Sequence, residues 1–166
     1  AIDLITPTNK LFRNMSKFKR KKINKAKKEG QTIIVINHKT NKKIIEKEFT
    51  KYKYAHITAS GKQTRSDQSY DYMKKLINDG KAILFVNQIS GYSFSYLLCD
   101  FSDGVSRGWS MVIDPKADEG MSLRHLLEWY AIMYFKKLGM EIYDLGPIFT
   151  ENEFGIDYNK KLGGIS

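Results

Sequence analysis

The stretch Gly108–Gly146 decides the fold, and it reads GWSMVIDP, KADEGM, SLRHLLEWYAIMYFKKLGM and EIYDLG in order. An apolar strand is followed by a Gly-containing turn, a long amphipathic segment and a second short strand. The amphipathic segment has apolar residues at helical spacing, namely Leu123, Leu126, Leu127, Tyr130, Ala131, Tyr134 and Leu138. A strand, a helix and a strand in succession predict a right-handed crossover that joins two parallel strands.

The sequence also predicts where the crossover helix begins and ends. Ser122 is a favourable N-cap, because its hydroxyl can accept a hydrogen bond from a free N–H of the first turn. Lys136 and Lys137 stand in the last turn, where a cation suits the helix dipole, and Gly139 ends the helix. The unpaired N–H groups of the first turn suit an anionic group such as a phosphate.

The composition is that of one globular domain. The chain has 166 residues with 42% hydrophobic content, which is enough for a real core. No apolar run approaches the roughly 20 residues of a membrane span, and AIDLITPTNK has no signal-peptide character. A single cysteine, Cys99, fits a reducing compartment, so we expect a cytoplasmic protein. The chain begins with Ala, so we also expect that it can be the C-terminal part of a longer protein.

Charge is unevenly distributed along the chain. Residues 1–80 carry 20 Lys and Arg against 7 Asp and Glu, whereas residues 81–166 carry 8 against 11. Eight of the basic residues fall between Lys17 and Lys28 in a segment of helical propensity that we place at 14–29. Two interpretations are open: a solvated helix face, or a surface for the phosphates of CoA or RNA.

The remaining elements complete a mixed α/β domain. We expect a lead-in over residues 1–13, a strand at 31–37, helices at 43–58 and 67–76, and strands at 81–87, 92–101 and 105–114. The short connections between the last three strands predict an antiparallel meander. The predicted fold is therefore a mixed, mostly antiparallel central sheet with helices on both faces.

Residues that could carry chemistry are few. No Gly-x-Ser-x-Gly, Walker or Rossmann motif is present, and three His with one Cys give no zinc-ligand spacing, so we predict no metal site. Asp144 ends a strand, where it can orient or deprotonate an amine or simply cap the next turn. His125 in the first turn of the crossover helix can contact a donor or be solvated.

Candidate substrate contacts come from the first half and the central strands. Arg65, in the loop KQTRSD, can bind an anionic group or be an ordinary surface residue. His56 lies near the end of a helix, where a local role is the simpler interpretation. Tyr92, Tyr96 and Trp109 lie in the central strands, where most should be core and one can line a pocket.

The order of these segments resembles the GCN5-related acetyltransferase (GNAT) superfamily, in particular its FemAB-like branch. The resemblance is carried by Tyr143–Gly146, Tyr158–Gly164, SKFKRKKINKAKKEG, GKQTRS and GKAILFV, and it runs from Ser16 to Gly164. There are two departures. Asn159 stands where the family has Lys, with Lys160 next, and the acetyltransferase Gln/Arg-x-x-Gly-x-Gly/Ala loop is absent, since DEGMS supplies only Gly120.

The resemblance implies an acyltransferase-like domain over residues 1–166 that binds no permanent cofactor. It implies transfer of an acyl or aminoacyl group from a CoA thioester or an aminoacyl-tRNA to an amine of an amino sugar, a peptide or a cell-envelope precursor. Its expected site comprises Asp144 and Tyr158 as catalytic residues, Gly120, Met121, Ser122, His125, Lys160 and Lys161 for the donor, and His56, Arg65, Tyr92 and Trp109 for the acceptor. The alternative is a non-catalytic, degenerate module that binds RNA or another polyanion through residues 17–28.

Overall fold

The computed structural model describes residues 1–117 and 120–146 as six strands and five helices. In chain order they are β1 (Ile2–Asp3), α1 (Thr8–Asn14), α2 (Lys17–Lys28), β2 (Thr32–Ile36), α3 (Lys42–Ser60), α4 (Asp67–Asn78), β3 (Ala82–Ile89), β4 (Tyr92–Ser102), β5 (Val105–Ile113), α5 (His125–Lys137) and β6 (Ile142–Asp144).

The strands form one mixed sheet in the order β1-β6-β5-β4-β3-β2. Strands β2, β3, β4 and β5 pair with one another in antiparallel fashion. The short connections between β3, β4 and β5 predicted this for the last three. The pair β5–β6 is parallel, which confirms the crossover. The lead-in contributes β1, which lies antiparallel against β6.

Helices cover both faces of the sheet, which confirms the predicted architecture. Helices α1, α2 and α5 pack on one face, around Phe85, Leu97 and Phe135. Helices α3 and α4 pack on the other face, around Tyr52 and Leu98. No helix in the described part of the chain is long and apolar enough to cross a bilayer.

Several predicted boundaries were wrong. The basic segment is not one helix from residue 14, because Ser16 adopts an extended conformation and caps α2, its hydroxyl accepting from Lys19 N. Before it, the seven-residue α1 follows Pro7. Ser122 is not the N-cap of the crossover helix: α5 begins at His125, and no side chain caps it.

The buried face of α5 was predicted correctly at Leu126, Leu127 and Ala131 and incorrectly elsewhere. Tyr130 and Leu138 are exposed, whereas Trp129, Ile132 and Phe135 are buried. Nearly every position of this helix is apolar, so spacing alone could not determine which side faces the core. The helix packs against α2 as well as the sheet, and this gives it a broad buried arc.

Candidate functional site

The strands β5 and β6 pair over a short length only. They pair over three positions, from Val105↔Ile142 to Arg107↔Asp144. Beyond Arg107, β5 continues to Ile113 with no strand partner on that side among the described residues. Within the described ranges, the edge of β5 beyond Arg107 therefore has no strand beside it, and we call this stretch the gap.

An irregularity in β5 lies beside this gap. Leu98 pairs with Ser110 and Cys99 with Gly108, so Trp109 is an extra residue with no partner in β4. Such a bulge bends the strand and changes the direction of neighbouring side chains, and bulges are frequent next to active sites. Trp109 is half-buried and packs against the core under α3 and α4.

Asp144 lies at the base of the gap. Tyr143 is buried on the α5 side, so alternation along the strand places Asp144 on the α3/α4 side. There it lines a cavity of about 360 Å³ together with Arg107, Asp100 and Lys81. One carboxylate oxygen, Oδ1, accepts from Gly146 N at 3.1 Å. Asp144 therefore does cap the following turn, and this bond leaves Oδ2 as a second acceptor.

The entry to α5 lies on the opposite face of the sheet. Gly120 O accepts from Lys25 Nζ of α2 at 3.2 Å, so the basic helix contacts the connection that precedes α5. Ser122 is buried, and its Oγ has no hydrogen-bond partner among the described residues. The same holds for His125 Nδ1. Ser122 Oγ and His125 Nδ1 are therefore two buried polar atoms, three residues apart, that could bind a ligand.

His125 is not the solvated side chain that was one of its two interpretations. Its ring stands edge-on to Phe18 of α2, with the centroids 6.0 Å apart. Burial lowers the pKa of His125 to about 4, and the nearby charges of Lys19, Arg124 and Lys22 act in the same direction. The imidazole is therefore neutral at neutral pH.

On the α3/α4 face, Arg65 and His56 meet in a polar cluster that also contains Tyr52, Tyr70 and Ser110. Arg65 Nη1 is 2.6 Å from His56 Nε2 and 3.2 Å from Ser110 Oγ. Tyr52 Oη donates to Ser110 Oγ at 2.8 Å. Because a guanidinium has no acceptor, Nε2 must be the unprotonated nitrogen. Nδ1–H then donates to Tyr70 Oη at 3.0 Å.

This polar cluster connects Arg65 and His56, two of the predicted substrate contacts, to strand β5. Burial, followed by the Arg65 charge, lowers the pKa of His56, in agreement with the neutral tautomer. Ser110 belongs to the part of β5 that has no partner on the β6 side. Arg65 has no acidic partner among the described residues. A positive charge is thus held next to the gap.

Solved structures share this arrangement of sheet and helices. FemX matches with a TM-score of 0.74 at 16% identity over 98% of this chain and 57% of its own. L-PGS from Bacillus licheniformis matches with a TM-score of 0.61 at 19% identity over 92% of this chain and 47% of its own. The chain therefore spans about half the length of these two proteins.

A smaller structure matches along most of its length. AAC(6')-Iy, solved with the bisubstrate analogue CoA-S-monomethyl-acetylneamine, has a TM-score of 0.57 at 13% identity, over 82% of this chain and 91% of its own. The chain has a GNAT/FemAB-like fold. At these identities the matches establish the fold alone. No family model and no curated protein sequence matches the chain.

The FemAB-like fold does not bring all the predicted residues together. Tyr92 is 72% exposed at the β3–β4 hairpin, and its side chain has no hydrogen bond or ring contact within residues 1–117 and 120–146. Tyr158, Lys160 and Lys161 lie outside the described residues. Within the described ranges, no group of three His, Cys, Asp or Glu side chains could hold a metal ion.

Sequence reasoning missed several polar residues of this FemAB-like fold. Tyr52, Ser95 and Ser110 were not among the candidates, because nothing in their local sequence sets them apart. Asn87 directly follows the apolar run AILFV, which is a weak signal, and only the structure shows that it is fully buried. A buried polar residue in a central strand needs hydrogen-bond partners.

Proposed function

We propose that this domain transfers an acyl or aminoacyl group to an amine. The observation that carries the proposal is the gap beyond Arg107, between a positive donor-side surface on one face of the sheet and the Arg65 cluster on the other. A donor and an acceptor that approach from opposite faces can react only where the sheet is open.

The donor side is the entry to α5 with its neighbour α2. The N–H groups of the first turn and the neutral His125 can donate hydrogen bonds to an anionic group. Helix α2 adds exposed Lys side chains beside the same turn. Both a CoA thioester and an aminoacyl-tRNA carry the phosphates that this surface would bind. The CoA-derived analogue in AAC(6')-Iy supports the former.

The acceptor side is the Arg65 cluster together with Asp144. Arg65 Nη1 already contacts Tyr52, His56 and Ser110, which hold the guanidinium in one orientation. Its remaining N–H groups can bind an anionic group of the acceptor. We therefore favour an amine that belongs to a molecule with its own negative charge, such as an amino sugar, a peptide or a cell-envelope precursor.

The chemistry would be direct attack of the amine on the donor carbonyl. The amine nitrogen bonds to the carbonyl carbon, the carbon–sulfur or carbon–oxygen bond breaks, and free N–H groups of β5 can stabilise the oxyanion. Asp144, directly or through water, would take the proton that the amine loses. Tyr158 would protonate the leaving group, and Lys160 and Lys161 would contact the donor.

The proposal is tested by incubating the protein with radiolabelled acetyl-CoA or charged total tRNA and a set of anionic amine acceptors. Stoichiometric transfer to an acceptor amine is expected with one of the two donors. Native mass spectrometry of the purified protein should in addition show any CoA thioester that co-purifies.

The exposed charge of α2 also favours a second candidate, a module that binds RNA without catalysis. Binding to total tRNA that falls steeply with salt, together with no transfer from either donor, would favour this module over the transferase.

A further inference from the structure

The connection into α5 is held at two backbone carbonyls. Gly120 O accepts from Lys25 Nζ at 3.2 Å. Leu123 O accepts twice, from Asn87 Nδ2 at 3.1 Å and from Ser95 Oγ at 2.9 Å. Residues 120–123, which we call the 120–123 turn, are therefore attached both to α2 and to the middle of the sheet.

One continuous network of polar side chains joins these two attachments. Lys25 Nζ lies 3.4 Å from Glu29 Oε1. Gln31 Nε2 donates to Glu29 Oε2 at 3.1 Å, and Asn87 Nδ2 donates to Gln31 Oε1 at 2.7 Å. The network leads from the basic helix through residues 29–31 to strand β3. It is bonded to the turn at both ends, at Gly120 O and at Leu123 O.

The orientation of each amide in the network follows from its partners. Asn87 must present its NH₂ group to Gln31 Oε1 and Leu123 O, because the opposite orientation would place its oxygen against two acceptors. Gln31 is in turn oriented by the Glu29 carboxylate, which can only accept when ionised. The network therefore has a single consistent arrangement, in which Asn87 Oδ1 has no hydrogen-bond partner among the described residues.

Asn87 and Ser95 are polar residues at buried positions of the central strands, where apolar residues are the rule. Both are fully buried, and they lie directly opposite each other at the end of the regular β3–β4 register, next to a bulge. Burying polar groups in a central sheet costs free energy unless each one is paired. Apolar residues at these two positions would fill the core but could not hold Leu123 O.

We propose that Asn87 and Ser95 are positioning residues for donor binding, because they fix Leu123 and thereby the first turn of α5. This inference rests on the proposed function, in which that turn contacts the donor. The two neighbours of the attachment, Ser122 and His125, have buried polar atoms with no partner among the described residues. Holding the backbone at Leu123 keeps these groups in place without using their own hydrogen bonds.

Ser95→Ala tests the proposal, and Ser106→Ala is its matched control. Ser106 is also a fully buried serine of the sheet whose hydroxyl donates to a backbone carbonyl, Ile142 O, at 3.0 Å, but this bond lies at the start of β6. The two variants lose the same kind of bond, so their unfolding free energies should fall by similar amounts. Asn87→Leu, which keeps the approximate volume, is the second test variant.

Binding of coenzyme A and of total tRNA is then measured by titration calorimetry. We expect Ser95→Ala to raise the Kd of the probe that binds the parent by about tenfold, and Ser106→Ala to leave it within about twofold. With a donor that supports transfer, KM should rise while kcat is unchanged, since the Arg65 cluster is not altered. Equal effects of Ser95→Ala and Ser106→Ala on Kd would overturn the proposal.

A second measurement keeps the inference separate from the proposed function. Amide ¹H–¹⁵N shifts of residues 120–127 should change in Ser95→Ala and not in Ser106→Ala, whatever the donor is. If the parent binds neither probe, the donor assignment fails and these shifts decide whether Asn87 and Ser95 hold the turn. Unchanged shifts in Ser95→Ala would contradict the positioning role.

Discussion

The hydroxyl of Tyr143 occupies the space that a side chain on Gly108 would need. A Cβ built on Gly108 lies 2.9 Å from Tyr143 Oη and 3.6 Å from Tyr143 Cζ. Tyr143 is buried, and its Oη is 3.7 Å from Cys99 Sγ. The contact lies next to the last β5–β6 pair, Arg107↔Asp144, so the absence of a side chain at Gly108 lets the ring approach β5 closely at the base of the gap.

Gly108→Ala should therefore destabilise the protein by about 1–3 kcal/mol, the usual cost of forcing extra volume into a packed core. In a Tyr143→Phe background the nearest ring carbon is at ordinary contact distance, so the same change should cost much less. Urea denaturation of the two single variants and the double variant gives the coupling free energy. Additive effects would show that Gly108 is needed for a reason other than Tyr143.

Asp144→Asn should fold like the parent and lose most acyl transfer, roughly a hundredfold or more. Asparagine keeps an oxygen that can accept from Gly146 N, so the turn is preserved while the base is removed. Initial rates with the active donor, compared with the melting temperature, separate the two roles. A rate within a few-fold of the parent would leave Asp144 with the turn alone.

The stability of the protein should fall on acidification in a way that depends on His125. An unfolded histidine titrates near pH 6.5, whereas burial and nearby cations lower the pKa of His125 to about 4. Between about pH 6.5 and 4 the unfolded chain binds a proton at this site that the folded chain does not. The unfolding free energy is therefore lost as the pH falls through this window.

His125→Gln removes this contribution, so its unfolding free energy should fall less between pH 7 and 5 than that of the parent. The pKa of His56 is lowered as well, but His56 is present in both proteins and cancels in the comparison. Urea titrations at several pH values provide the measurement. Parallel pH profiles would mean that His125 is as easily protonated in the folded state as in the unfolded one.

The exposed charge of α2 can be tested with three of its exposed lysines, Lys21, Lys27 and Lys28. We leave Lys25 unchanged, because it bonds to Gly120 O. If the donor is aminoacyl-tRNA, replacing the three by Gln should weaken tRNA binding and flatten its salt dependence by roughly 2–3 in log–log slope, at about 0.7–0.9 per phosphate contact. If the donor is acyl-CoA, KM should change only modestly.

The matched control for this experiment is Lys39, Lys42 and Lys43 replaced by Gln. These residues are also exposed, and they remove the same net charge from a different part of the surface. An equal loss of binding in both triple variants would show that only net charge matters. No response in either would leave α2 as a solvated helix face.

Much of the architecture could be predicted from local sequence. The hairpin-length connections predicted the antiparallel meander, and the order of strand, helix and strand predicted the parallel pair β5–β6. The helix predicted at 67–76 is also present, and the hydroxyl of Ser66 caps it by accepting from Ser69 N. These features depend on residues close together in the chain, where turn chemistry and periodicity act directly.

The buried side of α5 depended on tertiary contacts. Its sequence is apolar almost all round, so two packing partners, the sheet and α2, decide that Trp129 is buried and Tyr130 is exposed. The start of the helix was decided in the same way. Ser122 had the chemistry of a cap, but bonds from Asn87 and Ser95 to Leu123 O hold the chain just after it, and α5 begins at His125.

The sequence by itself determined the kinds of groups in the site: a strand-terminal Asp144, a basic helix, and Arg65 in a polar loop. Tertiary structure alone decided their partners. Arg65 meets His56, 9 positions away, and Ser110, 45 positions away. Asn87 and Leu123 are 36 positions apart. Such contacts depend on strand register and on a bulge, which follow from how the whole sheet packs and not from any local pattern.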